Sequence, residues 1–138
     1  MLNLLEDLKA THGLTLVFIA HDLAVVKNIS DRVAVMYLGK LCEVAPSEGL
    51  YRTPMHPYTN VLLSSIPVPD PDAAVTPIEV LGEPPSPVIP PPGCRFHPRC
   101  PHATEVCTTT EPELRELAPQ HFVACHHPVT ETVTPVSL

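Results

Sequence analysis

Apolar and polar positions divide this chain into a patterned first half and an irregular second half. Leu2, Leu5 and Leu8 recur at helical spacing with Glu6, Asp7 and Lys9 between them, which predicts a helix over residues 2–10. Gly13 suits the end of that helix. Leu14 to Ala20 is a nearly continuous apolar run, the pattern of a strand buried on both faces of a helix-covered parallel sheet. Asp22 is placed to cap a short helix reaching Asn28, with Leu23 and Val26 on its inner side. Arg32 to Tyr37 and Lys40 to Ala45 read as two strands joined by a Leu38-Gly39 turn. Short helices are expected near Glu48 to Tyr51 and from Tyr58 to Ser65, separated by a breaker over 53–57. Helix, strand, short helix and hairpin in this order make the end of an α/β domain.

The second half changes character. Ten prolines fall between Ile66 and Pro92, and proline neither donates to a backbone ladder nor fits a helix interior. Extended, polyproline-like chain is expected there. The expected organisation is therefore 1–65 as the α/β part, 66–92 as a proline-rich linker, 93–128 as a cysteine-rich tail and 129–138 as a frayed end.

Composition narrows the function classes. The formal net charge is −7, and the eight Lys and Arg residues are scattered, which disfavours a nucleic-acid partner. The longest strongly apolar run is too short to span a bilayer, so no direct membrane span is expected. No signal-peptide pattern occurs near Met1, because Glu6 and Asp7 interrupt it. A cytoplasmic setting makes the five cysteines better candidates for metal ligands or free thiols than for disulfides.

Two places carry candidate chemistry. His21 directly follows the apolar run, and ligands of open α/β sheets bind at the C-terminal strand edge. A histidine that merely closes the strand is the plainer alternative. In the tail, Cys94, Cys100, Cys107 and Cys125 are spaced C-x5-C-x6-C-x17-C. Gly93, Pro98 and Pro101 bend the backbone around them, whereas Cys42 is expected to be a small buried strand residue. Free thiols, disulfides, structural zinc and an iron–sulfur cluster all compete for the four, and spacing leaves zinc and iron–sulfur about even. His97, His102, His121, His126 and His127 are expected to be solvated or to support the ligands, with substitution for one cysteine a minor alternative.

Thr15 to Leu23, Asp31 to Met36, Gly39 to Ala45 and His56-Pro57-Tyr58-Thr59 closely resemble the end of ABC-transporter nucleotide-binding domains. The His56 motif, with the proline-rich, cysteine-bearing tail, resembles the oligopeptide/dipeptide importer branch. The resemblance spans about Leu2 to Pro128 and implies the C-terminal part of a P-loop ABC-ATPase domain followed by a largely irregular metal-binding tail. It implies that His21 is the switch-loop histidine that meets the γ-phosphate of ATP, with Asp22 in a supporting role. It implies a 4Fe-4S cluster on Cys94, Cys100, Cys107 and Cys125, with Zn2+ the alternative.

The implied partners are a second ATP-binding subunit and transmembrane permease subunits, and the implied place is the cytoplasmic side of the inner membrane, peripherally bound. The 138 residues contain no G-x-x-x-x-G-K-[ST] loop, no family signature loop and no apolar strand ending in Asp-Glu. ATP and Mg2+ therefore belong to a full-length subunit, and this chain alone is expected to be inactive. A stand-alone, non-enzymatic metal-binding module is the competing reading, and a secreted disulfide scaffold a weaker one.

Overall fold

The computed structural model describes residues 2–66 and 78–130. Expectations for 67–77, including Pro67, Pro69, Pro71 and Pro77, and for 131–138 lie outside the described residues.

The first helix, α1, runs Leu2–His12, two residues further than the leucine spacing predicts, and Gly13 follows it at φ +62°. Helix α2 covers Leu23–Ile29. Asp22 caps it as expected, its carboxylate accepting the backbone N–H of Ala24 at 2.9 Å and of Val25 at 3.2 Å. The side chains of Leu23 and Val26 are half-buried.

The segment between these helices differs from expectation. Leu14 to Ala20 forms no strand, and Val17 and Ile19 are 90% and 97% exposed. The physical reason is pairing. An extended segment is stable only when a neighbour satisfies its N–H and C=O groups. The sheet of the described residues contains four other strands and none beside this run.

That sheet is antiparallel, in the order β1-β2-β4-β3. Strand β1 is Arg32–Tyr37, as the sequence predicts, and alternates cleanly, with Val33, Val35 and Tyr37 inward. Leu38 and Gly39 turn the chain at φ 46° and 77°, the paired positive dihedrals that suit a two-residue hairpin. Strand β2 is Lys40–Pro46. Its register slips against β1, so that Val35 faces Glu43 and Met36 faces Leu41. Cys42 is the extra residue of this bulge, and Cys42 and Glu43 are consecutively buried, which a regular pleat forbids.

Helices α3 (Ser47–Arg52) and α4 (Pro57–Ser64) follow. The hydroxyl of Tyr51 on α3 donates to the Leu23 carbonyl at 2.5 Å, which ties α2 to the body. The tail supplies a 3-10 turn at His97–Arg99, α5 (Glu105–Thr109), β3 (Arg115–Ala118) and β4 (His121–Val123). Strand β4 pairs with β2, so the tail completes the hairpin's sheet across 78 residues of sequence between Glu43 and His121. The core gathers Val33, Val35, Tyr37, Cys42, Ala45 and Leu50 with Phe96 of the tail. Phe96 sits edge-on to Tyr37 at 5.3 Å and tilted against Tyr58 at 5.2 Å, an aromatic cluster that closes the tail onto α4.

Candidate functional site

The four tail cysteines come together. Cys94, Cys100, Cys107 and Cys125 line one small cavity, with His56 and Phe96 also in its wall. Three of them arrive by local structure. Gly93 adopts φ +65°, and a Cβ there would stand 2.4 Å from the Cys107 carbonyl oxygen, so only glycine permits the close approach. That approach lets the Cys94 N–H donate to the Cys107 carbonyl at 2.8 Å. The 3-10 turn then carries the chain to Cys100, and α5 presents Cys107. Cys125 arrives from the far end of β4, its carbonyl held by the Arg115 guanidinium at 3.0 Å.

The electrostatics set two effects against each other. Burial raises the pKa of Cys94, Cys100 and Cys125, the last to about 12. The thiols also sit close enough to raise one another: Cys94 and Cys100 feel Cys107, and Cys125 feels the other three. Backbone N–H groups oppose this, those of Phe96 and His97 at Cys94, His102 at Cys100 and His127 at Cys125. The His127 N–H donates to the Cys125 sulfur at 3.3 Å. The site thus offers donors to thiolates in a place where burial and mutual repulsion keep them protonated. A bound cation removes that conflict, because a coordinating thiol is deprotonated outright. In donor chemistry, four thiols, three of them with N–H support, suit a thiophilic metal. Among the described residues, however, no three His, Cys, Asp or Glu side chains close around one point as ligands of a single ion.

Cys42 is buried, as expected for a strand residue, and its pKa is pushed up to about 12, first by burial and then by the neighbouring Cys94. It is distant from the tail in sequence but adjacent in space: the Ala124 N–H donates to its carbonyl at 2.8 Å.

The tail histidines do not behave alike. His97 bonds the Cys94 carbonyl at 2.8 Å and His126 the Thr110 carbonyl at 2.8 Å, while His127 meets the Thr104 hydroxyl at 2.7 Å. His121 is neither solvated nor beside a cysteine. It is 4% exposed, and its Nε2–H donates to Glu43 at 2.5 Å. Glu43 is wholly buried and also accepts the backbone N–H of Met55 at 2.8 Å and of His56 at 2.9 Å. Sequence reasoning passed over Glu43, although an acid inside the apolar β2 run was the available signal.

His56 caps α4, its Nδ1 accepting the Tyr58 N–H at 3.0 Å. Burial lowers its pKa from 6.5 to about 4, with the nearby Ala124 carbonyl pulling the other way. The ring is therefore a neutral, fixed acceptor at neutral pH. The motif's next residue, Pro57, occupies the first helical turn, where its missing N–H costs nothing.

His21 stands apart from all of this. It lies exposed at a bend directly before the Asp22 cap, and among the described residues no hydrogen bond or ion pair joins it to the cysteine cavity.

The fold and site define a small α/β unit whose antiparallel sheet fastens a cysteine-bearing tail to a hairpin. The family of the oligopeptide/dipeptide transporter C-terminal region matches residues 42–107. A peptide import ATP-binding protein of Brucella ovis is 56% identical over 125 residues, covering 91% of this chain and 39% of the relative. The oligopeptide transport ATP-binding proteins YkfD and AppF of Bacillus subtilis are 54% and 52% identical over 128 residues, with the same coverage. Residues 42–107 thus carry the oligopeptide/dipeptide transporter C-terminal region, and the chain is similar over 91% of its length to ATP-binding proteins of peptide transport. It spans about 39% of the length of these relatives.

Proposed function

We propose that this chain serves as the C-terminal part of an ATP-binding subunit that powers peptide import, with His21 meeting the γ-phosphate and a 4Fe-4S centre on Cys94, Cys100, Cys107 and Cys125. Identity above half over 91% of the chain to peptide-import ATP-binding proteins supports the first part. Residues 1–65 act as the end of the nucleotide-binding domain, 66–92 as the linker, and 93–128 as a tail that docks back on the hairpin. The partners are a second ATP-binding subunit and permease subunits, met at the cytoplasmic face of the inner membrane, where the assembled subunit binds ATP and Mg2+. Among the described residues no helix is long and apolar enough to cross a membrane.

His21 is suited to its role by placement. An exposed imidazole ahead of a capped helix can donate an N–H to a phosphoryl oxygen as charge develops there. Hydrolysis relies mostly on positioning and charge neutralisation, so the groups for both must come from outside these residues. In a complete subunit, His21→Ala lowers phosphate release at saturating ATP by roughly 100-fold while ATP still binds. Unchanged turnover would remove His21 from the reaction.

The observation that supports the metal centre is the shared cavity of four thiols, three of them served by N–H donors. The choice of a cluster over one zinc ion rests on the resemblance to the peptide-importer tail, with Zn2+ the alternative. When bound, the centre supplies a cross-link that substitutes for a hydrophobic core in the tail. Anaerobic purification followed by iron and sulfide analysis tests this. About four of each per chain are expected, and one zinc without iron overturns the cluster.

A further inference from the structure

Three of the four thiols are placed by the chain segment that bears them, and the fourth is not. Cys94, Cys100 and Cys107 share one short loop closed by the Cys94 N–H bond to the Cys107 carbonyl. Cys125 lies two residues beyond β4, a strand only three residues long and paired with β2 at two positions, Glu43 with Val123 and Val44 with Phe122. His121 and Val123 share a buried face of β4, and the chain beyond it stays buried through Ala124 and Cys125. A slip of one residue would turn His121 and Val123 to the other face and displace the Cys125 that follows them. The two ladder pairs and the Ala124 N–H bond to the Cys42 carbonyl use backbone groups alone, which carry no side-chain identity.

We infer that Glu43 is a positioning residue for the fourth thiol, its grip on His121 and on the Met55–His56 backbone fixing the β4 register that delivers Cys125 to the other three. The inference rests on the reading of the four cysteines as one ligand set. Glu43 Oε1 meets both His121 Nε2 and the Met55 N–H, and Oε2 meets the His56 N–H. The His121 ring and two backbone N–H groups thus converge on a carboxyl group of zero exposure. A slipped strand would withdraw one partner and leave a buried carboxyl group short of hydrogen bonds, which is what makes a wrong register costly. The same carboxylate holds His56, whose ring stands in the cavity wall, so one side chain fixes two boundaries of the thiol site. The bulge at Cys42 is what turns Glu43 inward next to a buried neighbour.

The test compares His121→Phe, which keeps the ring but removes the donor, with His121→Gln, which keeps an N–H for Glu43. The full chain is used in both cases. In metal-free, reduced protein, peptide-resolved alkylation by iodoacetamide reads each cysteine separately. His121→Phe is expected to raise the Cys125 rate by at least about tenfold and to leave Cys94, Cys100 and Cys107 within about threefold. His121→Gln is expected to restore most of the protection. In anaerobically loaded protein, His121→Phe weakens iron retention against a chelator by roughly 10- to 100-fold. Equal labelling of Cys125 in both variants and the parent overturns the inference, as does a rise at all four cysteines that His121→Gln does not reverse. Iron absent from the parent chain would instead defeat the metal reading, and the alkylation result would still decide whether Glu43 places Cys125.

Discussion

The residues before Asp31 and the body formed by the hairpin, α3, α4 and the tail are both rich in apolar side chains, yet only the body buries them. Leu4, Leu14, Val17 and Ile19 stand exposed in the first region. In the body, Val35, Ala45, Leu50, Phe96 and Val123 are almost wholly covered. The difference lies in pairing and not in hydrophobicity. β1 and β2 hydrogen-bond each other across a two-residue turn, and β4 returns to extend them. The Leu14 to Ala20 run has no such neighbour among the described residues. A strand sequence specifies its own pattern but cannot supply the edge that makes it a strand.

The sharpest way to break the body is Phe96→Ala. It removes the residue through which the tail enters the aromatic cluster, and should cost about 3–5 kcal/mol in denaturant unfolding followed by Tyr fluorescence. A loss under about 1 kcal/mol would mean that the tail is held by its polar contacts alone.

Acid should weaken the body next. The unfolded chain takes a proton on His56 below 6.5, and the folded chain only near 4. Stability from this group is therefore complete above pH 6.5 and falls as the pH drops towards 4, by about 3 kcal/mol in all. Midpoints of urea unfolding at pH 7, 5.5 and 4.5 measure it, and His56→Asn should flatten the slope.

In the first region the effects are smaller. Asp22→Ala removes two accepted N–H bonds and should cost about 1 kcal/mol, read as faster amide exchange across Leu23–Ile29. Ile19→Ser should change stability by less than about 0.5 kcal/mol, since the side chain touches little. A penalty above about 2 kcal/mol would show that this run packs against a further surface in solution.

Much of the local structure was legible from residue order. The β1 strand, its turn, the Asp22 cap and the helices near Ser47 and Tyr58 all follow from period, turn chemistry and capping. The four cysteines were also legible as one group, because few other uses suit four thiols in a short polar stretch. What escaped was Glu43. Its role depends on a bulge that turns two consecutive residues inward and on a histidine 78 positions later, neither of which has a local signature. His121 was likewise indistinguishable from its exposed neighbours until β4 placed it inside.

Sequence by itself determined which segments are helix, turn and hairpin, because those features arise from interactions a few residues long. Tertiary structure alone decided that the tail completes the hairpin's sheet, that Cys125 joins the other cysteines and that Leu14 to Ala20 has no strand partner among the described residues. Each of those outcomes depends on which backbone groups find a partner across the molecule, and hydrogen bonding between distant strands leaves no periodic trace in either one.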